Sequence, residues 1–309
     1  MLLVEGLTKA YGPLVAADNV RFSLAPGDVF GFIGSNGAGK TTTIKMLATL
    51  LEPSSGTAKI DGFDIVKEPM EVRKRIGYMP DFFGLYDDIK VWEYLDFFAN
   101  LYRVEARQRP QVIDNVLELT DLTVKKDAFV QSLSRGMQQR LCLARCLVHD
   151  PLLLLLDEPA SGLDPRARAE LKELILELGR MGKIVIVSSH ILPELADFCN
   201  TVGIIERGVM LTFGPVGEVV SAGQITRTLE VKFLGEIKPA ESFLQKNTHV
   251  HEIAPSGEDC LRLSFAGDLL AQADLLESLI RDGHKVLDFR ETQADLEDVF
   301  LRITTGAVQ

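Results

Sequence analysis

The chain has 309 residues, 46% of them hydrophobic, enough for one sizeable core plus a smaller one. A net charge of −11 argues against a nucleic-acid-binding protein, which needs a basic face. No run approaches the ~18–20 apolar residues of a membrane span, and Met1–Gly6 lacks a basic n-region, so a cytoplasmic chain is expected.

Residues 1–30 alternate short apolar runs with the turns Tyr11-Gly12-Pro13 and Pro26-Gly27-Asp28 and read as antiparallel strands. The apolar run Val29–Ile33 leads into Gly34-Ser35-Asn36-Gly37-Ala38-Gly39-Lys40-Thr41, a complete G-x-x-x-x-G-K-[ST] loop. Ile44, Leu47, Ala48 and Leu51 then fall on one helical face. Strand, loop and helix are the context this motif needs. Its glycines let successive N–H groups face phosphate oxygens, and the helix start adds its positive dipole end. Lys40 can reach β- and γ-phosphates, and the Thr41 hydroxyl can hold Mg²⁺.

Gly56–Asp64 resembles another strand pair. From Asp81 to Ala144 the pattern is helical, with Val91, Tyr94, Leu95 and Phe98 on one stripe and Val112, Val116 and Leu119 on another. Cys142 and Cys146, at i and i+4, read as small buried hydrophobes, since no further ligand cluster lies nearby. Leu152–Leu156 reads as a strand buried on both faces, closed by Asp157-Glu158-Pro159. In a parallel sheet its carboxyl end lies beside the phosphate loop, which suits Asp157 to orienting Mg²⁺ and Glu158 to facing an attacking water. A helix over 165–180, N-capped by Asp164 with Pro165 in its first turn, a strand over 184–189 and a helix over 191–199 complete right-handed βαβ units.

The pattern breaks near Gly214–Gly223. Thr228–Leu234, His249–Ile253, Leu261–Phe265 and Lys285–Phe289 read as strands, and Glu236–Lys246, Leu269–Ile280 and Leu296–Ile303 as helices. That order predicts a small ferredoxin-like α+β domain over 225–309, with no catalytic constellation in it and a role in dimer support or regulation.

With these motifs in this order, residues 1–220 resemble the nucleotide-binding subunit of an ABC transporter. Gly34–Thr42 match its Walker A loop, Leu152–Glu158 its Walker B strand, Ser161–Asp164 its D-loop and Ser188-Ser189-His190 its switch-histidine segment. Leu133-Ser134-Arg135-Gly136-Met137-Gln138-Gln139-Arg140 occupies the signature, with Arg135 and Met137 replacing the usual Gly and Gln. Asp81 stands where the family's Q-loop has Gln.

The resemblance implies a P-loop NTPase of ABC type: a parallel core sheet, an antiparallel β subdomain, a helical subdomain over about 82–144, and the C-terminal domain. It implies ATP as substrate and Mg²⁺ as cofactor. Tyr11 would stack on adenine; Gly34, Ser35, Asn36, Gly37, Ala38, Gly39, Lys40, Thr41 and Thr42 would hold the phosphates; Thr41, Asp157 and Asp81 would serve the metal. Glu158, His190 and Lys40 would be catalytic, with His190 sensing the γ-phosphate. Asp81 has a second reading, turned outward as a cap. Ser134 and Gly136, with the D-loop Asp164, would close over ATP in a head-to-tail dimer with a second copy.

A separate transmembrane permease subunit would hold the protein on the inner face of the membrane, with the surface around Phe82, Phe83, Leu85 and Tyr86 receiving one of its helices or simply packing the subdomain core. The signature variant and the tail resemble ATPases of ABC-2 type exporters. The alternative is a soluble ABC ATPase acting on ribosomes or DNA.

Overall fold

The structure, a computed structural model, describes residues 1–82, 84, 86, 88–190, 195, 198–222, 227–257 and 259–292. The chain divides into two compact units, Met1–Val216 and Gly217–Gln309.

The first unit is built on a sheet of strands β1 (Leu2–Tyr11), β2 (Leu14–Leu24), β3 (Val29–Ile33), β4 (Ser55–Ile60), β5 (Phe63–Asp64), β6 (Ile76–Met79), β7 (Leu153–Leu156), β8 (Ile184–Ser189), β9 (Thr201–Glu206) and β10 (Val209–Pro215). Their order is β5-β4-β1-β2-β10-β9-β3-β8-β7-β6. The β5-β4-β1-β2 end is antiparallel throughout. From β9 through β3, β8 and β7 to β6 every neighbour is parallel. Strands β1 and β2 pair antiparallel, as expected for residues 1–30, and β3, the strand expected ahead of the phosphate loop, sits between two parallel neighbours. All five of its residues are buried, as strands covered on both faces require.

The hairpin β9–β10 was absent from the sequence expectation. Its two-residue turn, Arg207-Gly208, places both residues at positive φ (48° and 85°), the geometry that matches strand twist. Arg in the first turn position hides the usual Asn-Gly or Asp-Gly signal.

Helix α1 (Lys40–Leu47) follows the phosphate loop, and α2 (Pro69–Arg73) precedes β6. Between β6 and β7 lie α3 (Val91–Leu101), α4 (Arg109–Leu119) and α5 (Arg135–Leu147). Helix α3 buries Val91, Tyr94 and Leu95 as its stripe predicts. Helix α4 is rotated from expectation and buries Ile113, Val116 and Leu117. Cys142 and Cys146 are buried on α5, and no group of three or more metal-ligating side chains occurs among the described residues. Helix α6 (Pro165–Arg180) starts where Asp164 accepts a bond from Ala167 N at 2.9 Å. The helix expected over 191–199 lies mostly outside the described residues. No described helix is long and apolar enough to cross a membrane.

After α7 (Val216–Ala222), the second unit carries β11 (Arg227–Phe233), α8 (Lys238–Leu244), β12 (Val250–Pro255), β13 (Cys260–Phe265), α9 (Leu269–Arg281) and β14 (Val286–Thr292). Its antiparallel sheet runs β12-β13-β11-β14, the ferredoxin-like order. Leu229, Val231, Leu261, Leu263 and Phe265 from the sheet pack with Ala240, Leu244, Leu275 and Leu279 from the helices in a core of their own. The helix expected over Leu296–Ile303 lies outside the described residues.

Candidate active site

Parallel strands bring their carboxyl ends to one edge, and here that edge collects the chemistry. Ile33 pairs with Ser189, Leu156 with Val187 and Met79 with Leu156, so the chain emerges from four adjacent strands at Gly34, Asp157, His190 and Pro80-Asp81. Residues far apart in sequence thus line one cavity of about 360 Å³: Ser35 to Thr42, Asp81, Glu158, Ser161 and His190.

The loop curls back over its own lysine. Lys40, only 5% exposed, donates to Gly34 O at 2.7 Å and Ser35 O at 3.2 Å. Gly39 makes this possible: its φ is +110°, and a Cβ there would meet Ala16 O at 2.3 Å.

Two carboxylates face this loop in different settings. Asp157 is 1% exposed and accepts from Thr41 Oγ1 at 3.1 Å and from Ser188 Oγ at 2.7 Å. Burial pushes its carboxyl above the usual range, against the two hydrogen bonds that favour its charge. A desolvated carboxylate beside a hydroxyl is a donor set that suits a small hard cation, so these residues fit Mg²⁺. Glu158 has a left-handed backbone, φ 49°, and its N–H donates to Ser188 Oγ at 2.9 Å. Its carboxylate lies between Lys40 Nζ at 3.5 Å and His190 Nδ1 at 3.0 Å. Asp81, exposed, lines the same cavity and its charge adds to the upward push on Asp157.

The remaining expected residues lie outside that lining. Tyr11 is 49% exposed, with Lys9 Nζ 5.4 Å from its ring centre. Ser134 caps α5, accepting from Met137 N at 3.4 Å, and Gly136 stands in the same first turn, so close to α6 that a Cβ would meet Ala167 Cβ at 2.9 Å. Asp164 caps α6. Phe82 is 89% exposed and Tyr86 56% exposed, whereas Phe83 and Leu85 lie outside the described residues.

Two residues had not been singled out for the site. Ser188 connects Asp157 to Glu158 from the next strand, and Ser161 lines the cavity. Strand pairing carries the signal for Ser188: once β7 and β8 are neighbours, residue 188 must flank residue 157.

The comparisons agree with this geometry. A family model described as ABC transporter matches residues 17–161. The Nod factor export ATP-binding protein I of Cupriavidus metallidurans is 34% identical over 309 residues, covering 98% of this chain and 97% of that protein. The bacitracin transport ATP-binding protein BcrA of Bacillus licheniformis is 34% identical, covering 97% of this chain and 96% of that protein. Among solved structures, cbiO1 from Clostridium perfringens, part of the ABC transporter complex cbiONQ, superposes with a TM-score of 0.65 at 28% identity, over 72% of this chain and 92% of that one. The chain belongs to the ATP-hydrolysing, ATP-binding subunits of the ABC transporter family.

Proposed function

We propose that the protein powers an exporter of the ABC-2 type, turning over ATP at the cavity described above while a separate permease subunit carries the cargo. The observation that carries the site assignment is Glu158, held between Lys40 and His190 over the phosphate loop. In this reading the loop amides and Lys40 bind the β- and γ-phosphates and stabilise the charge that develops on the transferring group. The Glu158 carboxylate accepts a hydrogen bond from the attacking water. His190 orients Glu158 and contacts the γ-phosphate. Thr41 and Asp157 would hold Mg²⁺, which when bound neutralises phosphate charge, and Asp81 would act on that centre through water. Tyr11 would stack on the adenine.

One copy leaves the γ-phosphate open on one side. Ser134 and Gly136 lie outside the cavity of their own chain, at the exposed head of α5, which supports a head-to-tail dimer in which they and Asp164 close over ATP bound by the partner.

The permease reading is supported by a second cavity of about 790 Å³ in the first unit. Leu50, Met70, Ile76, Phe98 and Leu101 line it, with Arg73, Lys74, Arg103 and Arg145. The aromatic chain Tyr86–Phe97–Phe98, with ring centres 5.9 and 5.2 Å apart, leads from the exposed Tyr86 to it. A permease held there would place the protein on the inner face of the membrane. The names of the Nod factor and bacitracin relatives favour transport, and the Nod factor name export, over the ribosome or DNA alternative.

The test is Glu158→Gln. ATP binding should persist, turnover should fall about 10²-fold or more, and an ATP-bound dimer should accumulate as doubled mass in light scattering. Near-normal turnover would remove the assignment.

A further inference from the structure

The segment that follows Glu158 is held by two side chains from α5. Arg135 and Gln139 are four residues apart, so they project from one helix face. Gln139, buried, donates Nε2–H to Pro159 O. Arg135 donates Nη2–H to Ser161 O at 3.2 Å. Between these two carbonyls the chain closes a turn, with Ser161 N donating to Glu158 O at 3.1 Å.

Residue 162 is shaped around the arginine. Gly162 has φ +68°, and a Cβ there would lie 2.5 Å from the guanidinium carbon of Arg135. The guanidinium occupies the place where any side chain would go. Arg135 stands where the signature usually has glycine, which has no side chain to make this contact.

A non-glycine residue in the left-handed region is strained and persists only where its surroundings over-determine it. Glu158 is such a residue. Ser188 holds its N–H from β8, and the α5 pair fixes the turn that begins at its carbonyl.

We propose that Arg135 and Gln139 form a two-point clamp on Pro159–Ser161 that keeps the Glu158 carboxylate aimed over the phosphate loop, which makes Arg135 a positioning residue for hydrolysis. The clamp ties the head of the signature helix to the carboxylate of the same copy. Movement of α5 is thereby transmitted to Glu158 through two hydrogen bonds.

The clamp rests on Glu158 as the hydrolytic carboxylate, and the experiment separates the two ideas. Full-length variants are assayed for Mg²⁺-ATP turnover, for KM and for ATP-driven dimerisation by light scattering. Arg135→Met should lower kcat about tenfold through misplacement of Glu158. KM should stay within about twofold, because ground-state binding is untouched. Arg135→Lys should recover most of the loss, since an ammonium can still bond Ser161 O. Should Arg135→Met fail to fold, Arg135→Gln, too short to reach Ser161 O, carries the same expectations.

Unchanged kcat in Arg135→Met overturns the clamp. A rise in KM together with lost dimerisation would put the Arg135 charge on a partner's nucleotide and overturns it equally. Glu158→Gln runs alongside. If that variant keeps its turnover, the catalytic reading fails; if it loses turnover while Arg135→Met does not, the clamp alone fails.

Discussion

Ser188 Oγ donates to Asp157 Oδ1 at 2.7 Å and receives the N–H of Glu158 at 2.9 Å, so one buried hydroxyl sets the positions of both carboxylate-bearing residues at the end of β7. Ser188→Ala would leave that N–H without its acceptor and remove one bond from Asp157. The expected outcome is a loss of about 1–3 kcal/mol in stability, read as a lower melting temperature, together with reduced kcat. A variant with unchanged melting and turnover would show that neither residue depends on the hydroxyl.

Asp64 is a second buried carboxylate, and its hydrogen bonds carry a pH dependence. Burial raises its pKa, but the backbone N–H groups of Lys67 and Val66 and the Thr57 hydroxyl outweigh that, leaving the carboxyl below its ordinary range. The folded chain therefore takes up this proton less readily than the unfolded one. The stability involved is complete above about pH 4, the ordinary carboxylate value, and is lost as pH falls through the lowered folded-state value. Asp64→Asn should melt a few degrees below the parent at pH 7, and the gap should narrow as the pH is taken below the ordinary carboxylate value. Equal melting curves at pH 7 would remove the contribution.

The exposed Phe82 and the groove residue Leu101 test the proposed permease contact. Phe82→Ala and Leu101→Ala should leave the melting temperature and the basal ATPase of the isolated chain near the parent values, since both side chains are largely exposed. Transport by the assembled exporter should fall about tenfold or more if either is an interface anchor. Full transport in both variants would return these side chains to simple surface packing.

Among the described residues the two cores share none, with Leu2, Ile44, Leu153 and Ile186 in one and Leu229, Leu263 and Leu279 in the other. A chain ending after residue 220 should therefore stay folded and bind ATP, because the phosphate loop and its facing carboxylates lie within Met1–Val216. Circular dichroism and binding of a fluorescent ATP analogue check this. An insoluble or ATP-blind truncation would mean that the regions either side of residue 220 need one another.

The phosphate loop, the buried β7 strand ending in Asp157-Glu158 and the βαββαβ order of the second unit are legible in the amino-acid pattern. Each rests on local pattern: glycines at fixed offsets, an unbroken branched run, a period changing from two to 3.6. What it left open depends on neighbours distant in the chain. Helix α4 offers two overlapping apolar stripes, Val112-Val116-Leu119 and Ile113-Val116-Leu117, and the surface it meets selects the second. Ser188 became a site residue only when β8 was laid beside β7. Arg135, a plain departure in the signature, acquired a role only when α5 was brought against Ser161 and Gly162, because hydrogen-bond partners 26 residues apart are set by tertiary packing, which no local pattern encodes.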